Sequence, residues 1–211
     1  MINLLQGDSS QYKDPEVSPD GPTTTAPLDE STAARNAELV DKYAASLYDA
    51  TAADILTWAH EHAPGPLVVT LSMENTVLAE LSKQYLPGAD FLFLDTEYHF
   101  AETLEVADKV EQRYPDNRLV RATAQLSRAE QDEVYGPNLY RRNPTACCRM
   151  RKVEPLAVHM SPYVGWITGV RRDDGPTRAE APALSLDKTG RLKISPLVTW
   201  TLEDTDAYIA D

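Results

Sequence analysis

Cys147 and Cys148 are adjacent and are the two cysteines of this 211-residue chain. They sit in Arg141-Arg142-Asn143-Pro144-Thr145-Ala146-Cys147-Cys148-Arg149-Met150-Arg151-Lys152, which holds five basic residues and no acidic one in a chain of net charge −13. Positive neighbours favour thiolate, the form that binds metal or attacks electrophiles, and the same charges attract an anionic ligand. A metal or cluster site beside a phosphate-like group is therefore the chemistry to look for. Two thiolates do not complete it, because zinc takes about four ligands and an iron–sulfur cluster usually takes about four thiolates. His60, His62, His99 and His159 do not lie beside the pair at a familiar spacing. A buried structural pair, an incidental Cys-Cys and a strained disulfide between neighbours stand as alternatives.

Other segments offer groups for an anion or a nucleotide. Ser72-Met73-Glu74-Asn75-Thr76 follows an apolar run and opens a helical one. Amides and hydroxyls at such a place can hold a phosphate or sulfate, or Ser and Thr there simply cap the helix. Asp95 and Thr96 end a second apolar run, where a carboxylate can accept from a ribose hydroxyl or an adenine amine, or cap the next helix. Arg171-Arg172 can clamp an oxyanion in bidentate fashion, or pair with Asp173 or Asp174.

These groups need elements to carry them. Leu67-Val68-Val69-Thr70-Leu71, Phe91-Leu92-Phe93-Leu94 and residues 118–122 read as strands, with helices predicted over 77–85 and 101–114 between them. Such alternation predicts a parallel α/β sheet, whose ligands bind beyond the carboxyl ends of the strands. Upstream, Ser31 or Thr32 is expected to cap a helix reaching Tyr48, and Thr51 a second one that Pro64-Gly65-Pro66 stops. Downstream, Ser127 and Glu130 form a capping box. One helix is expected over 146–160 with Pro155 as a local complication, then a strand over 163–168, a loop over 169–175, a strand near 192–198 and a last helix from Thr201. Residues 1–30, with Pro15, Pro19, Pro22 and Pro27 and six acidic residues against one lysine, read as a flexible arm, leaving 31–211 as the domain.

A hydrophobic content of 42% and a charged content of 25% are ordinary for a globular protein. The acidic balance argues against general nucleic-acid binding. No run approaches the roughly 18–20 apolar residues of a membrane span, and no secretory signal is visible, so a cytoplasmic location is expected.

Taken jointly, four segments resemble the assimilatory adenylyl-sulfate (APS) reductases, the iron–sulfur branch of the APS/PAPS reductase family. They are Leu71-Ser72-Met73-Glu74-Asn75-Thr76-Val77-Leu78, Phe93-Leu94-Asp95-Thr96-Glu97-Tyr98-His99-Phe100, the run from Cys147 to Leu156, and Trp166-Ile167-Thr168-Gly169-Val170-Arg171-Arg172. The adjacent cysteines separate this branch from the one using the 3′-phosphorylated substrate (PAPS). The resemblance implies an adenine-nucleotide α-hydrolase-like fold and a thioredoxin-dependent reduction of APS to sulfite and AMP. It implies that Cys147 and Cys148 supply half the ligands of a [4Fe–4S] cluster, and that Lys152 lies between cluster and substrate. Ser72, Arg171 and Arg172 would hold the phosphosulfate, and Asp95 and Thr96 would line the nucleotide pocket. Relatives attack the substrate sulfur with a cysteine from a later Glu-Cys-Gly-Leu-His-like motif and take two more cluster ligands from a Cys-x-x-Cys. Neither motif occurs in these residues, so the expectation is a chain lacking its C-terminal catalytic segment. Glu97 stands where relatives commonly have Gly, placing a carboxylate near an anion site, where it either points outward or weakens binding. Alternatives on the same residues are a PAPS reductase, a non-catalytic nucleotide-binding remnant and a dimer bridged by metal through two cysteine pairs. An ATP pyrophosphatase is a more distant one, its Ser-Gly-Gly-x-Asp-Ser-like loop being unmatched here.

Overall fold

Apolar runs become strands where both of their faces can be covered. Leu67–Leu71 forms β1, Asp90–Asp95 β2, Leu119–Thr123 β3, Gly165–Ile167 β4, Leu184–Leu186 β5 and Leu192–Ile194 β6. The structure, a computed structural model, describes Tyr12, Pro15 and residues 25–210. Among those residues the strands form one sheet in the order β3-β2-β1-β4-β6-β5, parallel throughout except for β5 against β6. The expected parallel α/β class is borne out. β5 and its antiparallel pairing carried no sequence signal that was read.

Alternate residues of a strand face opposite sides, and each side of this sheet has its own core. Val69, Leu71, Phe91 and Phe93 pack on one face with Ile55, Leu56, Leu78 and Val110. Those last residues come from α2 (Ala52–His62), α3 (Val77–Tyr85) and α4 (Ala101–Arg113). Val68, Leu92 and Ala122 point to the other face and meet Met160 and Tyr163.

The first helix, α1 (Glu30–Leu47), begins two to three residues earlier than Ser31 or Thr32 would set it. Asp29 is its cap: the carboxylate accepts from the Thr32 N–H at 2.9 Å and from both the Ser31 and Thr32 hydroxyls. Asp can accept several donors at once, which a hydroxyl cap cannot match. Buried Asn36 ties α1 to the sheet by donating to Val164 O at 3.0 Å and Gly190 O at 2.9 Å. The expected arm over 1–30 falls, apart from Tyr12, Pro15 and 25–29, outside the described residues. At its described end, Ala26 O accepts from the buried Arg191 guanidinium at 3.1 Å.

Thr51 caps α2 and Ser127 with Glu130 forms the capping box of α5 (Arg128–Tyr135), both as expected. The single helix expected over 146–160 is instead three pieces. After the short α6 (Leu139–Arg142) come α7 (Pro144–Cys148), a π-helical turn over Arg149–Val153 and α8 (Glu154–Met160). The wide turn ends just before Pro155, whose missing N–H cannot continue an α-helical ladder. The Glu154 N–H bonds to Arg149 O, the five-residue step of a π turn. Near the end of the chain, Leu197 and Val198 belong to a turn after β6 rather than to a strand, and α9 (Leu202–Ala210) is capped by Thr201 with Asp204.

Candidate active site

The chain passes from β1 outward to β2 and β3, then returns to lay β4 on the other side of β1. The carboxyl ends of β1 and β4 therefore diverge into opposite connections, the place where open α/β sheets bind ligands. A cavity of about 630 Å³ opens there, within the range of pockets that take a small-molecule ligand. Ser72 follows β1 and Thr168 and Gly169 follow β4, and all three line it. Leu94, Leu156, Met160 and Trp166 give it an apolar wall drawn from the second core. Arg171, Asp174 and Arg178 give it a charged one.

Ser72 is exposed, with its hydroxyl 3.5 Å from the Glu74 N–H, and it does not cap α3. Asn75 instead accepts from the Val77 N–H at 3.2 Å. The loop turns sharply at Met73, buried with φ 62°, a left-handed conformation that few side-chain-bearing residues adopt. This turn leaves Ser72 at the rim.

Arg171 and Arg172 part company. Arg171 donates from Nε to Asp174 Oδ1 at 3.0 Å and from Nη1 to Thr205 Oγ1 at 3.0 Å, so its guanidinium is held at the cavity wall. Arg178 Nη1 reaches the other oxygen of Asp174 at 3.2 Å. Burial pushes the Asp174 carboxyl up, but the Arg171 N–H and guanidinium, with Arg178, outweigh it and hold the carboxyl below its ordinary value. The pairing with Asp174 that the sequence allowed is present, and Arg171 still faces the cavity. Arg172 does not line it. Its guanidinium stacks 3.9 Å from the Tyr48 ring centre and donates to Asp49, Tyr48 O and Ala181 O.

Asp95 and Thr96 end β2 but do not line the cavity either. Asp95 accepts from the Glu97 N–H at 2.8 Å and Thr96 from the Tyr98 N–H at 3.3 Å, so both are spent on the turn that follows the strand. Neither caps α4, which starts after Phe100. Glu97 is exposed, yet its carboxylate is engaged: one oxygen accepts from the Arg128 N–H at 2.7 Å and the other lies 3.4 Å from Arg151.

The cysteines stand at the end of α7, where Asn143 accepts from the Ala146 N–H and Pro144 fills the first turn. Successive helical positions point about 100° apart, so Cys147 is buried while Cys148 is exposed. Burial pushes the Cys147 thiol up, and Arg151 and Lys152 pull it only part of the way back. The thiolate stabilisation expected from a basic neighbourhood is thus overridden at Cys147 by desolvation, a cost the sequence does not display. Lys152 itself is exposed and does not line the cavity. Val153 and Leu156, from the same segment, do.

Beside the thiols lie buried N–H groups without hydrogen-bond partners. Arg149 Nε approaches Glu154 at 3.2 Å and Arg151 Nη1 approaches Glu97 at 3.4 Å, both ion pairs without hydrogen-bond alignment, and Arg151 Nη2 has no acceptor. Such donors suit an anionic thiolate–sulfide group. Ligand number does not suit it: among the described residues, no group of three or more His, Cys, Asp or Glu could hold a metal ion. The residues fit half of a four-thiolate cluster site in donors and in surrounding charge.

Residues 66–211 match the model of the phosphoadenosine phosphosulfate reductase domain. The chain belongs to that family. An adenosine 5′-phosphosulfate reductase of Mycolicibacterium smegmatis is 47% identical over 173 residues, covering 82% of this chain and 73% of the relative. Those of Mycobacteroides abscessus and Streptomyces coelicolor are 44% and 43% identical over 89% of this chain, covering 77% and 79% of theirs. The fold also matches the crystal structure of the phosphoadenylyl-sulfate (PAPS) reductase of Candida auris in its phosphate complex. There the TM-score is 0.69 at 24% identity, over 82% of this chain and 85% of that one. The family and the fold expected from the four motifs are thereby established.

The structure of this reductase-family chain therefore brings Ser72 and Arg171 to one cavity, with the cysteine segment supplying part of its wall. It keeps Asp95, Thr96, Lys152 and Arg172 off the lining. Asp174, Arg178 and Thr205 went unread as site residues. Their one available signal was the density of Arg and Asp after Gly169, which reads equally as a solvated loop.

Proposed function

We propose that this chain is an adenylyl-sulfate reductase, reducing APS to sulfite and AMP with electrons from thioredoxin in assimilatory sulfate reduction. The observation that carries this reading is the cavity at the β1–β4 divergence, flanked by Ser72 and Arg171 and walled in part by the segment that bears Cys147 and Cys148. Its relatives' names support APS over PAPS as substrate. The apolar wall of Leu94, Leu156, Met160 and Trp166 suits the adenosine end of APS. Ser72 and Arg171 suit the phosphosulfate, whose anionic oxygens would take the guanidinium N–H groups now shared with Asp174.

In the family reaction a cysteine thiolate attacks the sulfur of APS, the S–O bond to AMP breaks, and an S-sulfocysteine forms. A thioredoxin thiolate then attacks the cysteine sulfur; sulfite leaves with the S–S electron pair, and the second thioredoxin thiol closes a disulfide. In this chain Cys147 and Cys148 would supply two of the thiolates of a [4Fe–4S] cluster, which would bring iron–sulfur chemistry to this basic segment when bound. With both cysteines given to the cluster, no attacking thiol is assigned among these residues, and Lys152 is assigned to the approach between cluster and substrate. The chain's own part is to bind and orient APS.

Calorimetric titration tests this. APS and AMP are expected to bind, and Arg171→Ala to weaken APS binding by about tenfold or more, the worth of a charge-assisted hydrogen bond. Absence of binding by either nucleotide would sink the reading. Sulfite release with thioredoxin, under anaerobic conditions, is expected once the chain is joined to a family segment carrying the Glu-Cys-Gly-Leu-His-like motif.

A further inference from the structure

Glu97 adopts φ 58°, one of three non-glycine residues with positive φ among those described. A long side chain rarely accepts this backbone conformation, so the surrounding bonds must hold it there. Three do so, and each reaches a different segment. The Glu97 N–H donates to Asp95 Oδ1 at 2.8 Å, fixing the turn after β2. Glu97 Oε2 accepts from the Arg128 N–H at 2.7 Å. That N–H is the first of α5, a donor with no partner inside its own helix, and a carboxylate is favoured at that end. Glu97 Oε1 lies 3.4 Å from Nη1 of Arg151, whose side chain is 2% exposed.

Arg151 belongs to the π turn that follows the cysteines. Its Nε donates to buried Gln131 of α5 at 2.9 Å, and its guanidinium lies 5.9 Å from the Tyr98 ring centre. The Glu97 carboxylate is thus a counter-charge to a cation sealed under the cysteine segment, and it is supplied by the strand-end rim. A buried guanidinium left without its counter-charge is costly, so the segment carrying it is expected to loosen when the carboxylate goes.

We propose that Glu97 is a positioning residue that clamps the cysteine-bearing segment 144–153 to the rim after β2 through Arg151 and the start of α5. Its bearing on sulfonucleotide reduction rests on the reading above; the clamp itself does not, and it is tested without turnover. Hydrogen exchange read by mass spectrometry compares segment 144–153 with α3 in the parent, in Glu97→Gly and in Glu97→Gln. Glu97→Gly relieves the backbone conformation but strips Arg151 of its counter-charge, and the melting temperature reports only the difference of these opposed effects. Exchange in 144–153 is nevertheless expected to rise about tenfold while α3 stays near its parent rate. Glu97→Gln should restore part of the protection, because its amide oxygen can still accept from the Arg128 N–H while carrying no charge for Arg151. Parent-level protection of 144–153 in Glu97→Gly overturns the proposal. So does a rise matched by α3, or a Glu97→Gln no better protected than Glu97→Gly. Failure of nucleotide binding would leave this result standing, and the two readings fail separately.

Discussion

Arg171 and Arg172 are neighbours in the chain and serve different ends. Arg171 faces the cavity with Asp174 as its resting partner, whereas Arg172 lies over Tyr48 and joins the end of α1 to Ala181. Arg172→Ala is therefore expected to lower stability by about 2–3 kcal/mol, through lost charge-assisted bonds and stacking. APS affinity of the folded protein should be unchanged. Urea unfolding and calorimetric titration of the same variant separate the two effects. The sequence held both arginines and both candidate partners, Asp173 and Asp174, but not that Arg171 stays extended while Arg172 opens a 3-10 turn and so sends its side chain elsewhere. Cys147 makes the same point about electrostatics. Its basic neighbours were plain to read, while the burial that outweighs them depends on how α7 lies against the rest of the fold.

Elements were most legible where a period or a cap repeats. β1, β2 and β3, the capping box of α5 and the Thr51 cap all follow from local rules. The π turn did not, because Pro155 announces a disturbance without saying whether the helix breaks, kinks or widens. β5 did not either: three residues provide too short a stretch for alternation to register. Short strands carry tight constraints nevertheless. A Cβ on Gly165 of β4 would stand 2.7 Å from Leu192 Cβ and 2.9 Å from Leu192 O, and the backbone oxygen cannot rotate away. Gly165→Ala is expected to cost about 1–3 kcal/mol by forcing β4 and β6 apart. A lowered urea midpoint would record it, and an unchanged midpoint would mean that this part of the sheet gives more readily than its spacing suggests.

For the molecule as a whole, family and architecture were legible together because four motifs fell in order on one α/β frame, while the cavity's charged wall emerged only from folding. At the amino end of β2, far along the strand from the cavity, Tyr163 donates to Asp90 at 2.6 Å and Arg118 pairs with the same carboxylate. Burial, and then the bond to Asp90, push the Tyr163 hydroxyl from 10.0 up to about 12. Folding thus favours the protonated phenol. The stability it contributes is complete below pH 10 and is lost as pH rises through about 12. Urea unfolding between those limits is expected to show a steeper loss in the parent than in Tyr163→Phe; equal slopes would refute the linkage. The two outer strands have a different consequence. β3 is bracketed by Arg118 and carries Arg121, which Asp108 and Glu111 engage, while at the opposite border β5 is three residues long. Charged or very short borders offer little template to another chain. In concentrated solution, or during refolding, this sheet is therefore guarded against growing by recruitment of a second molecule.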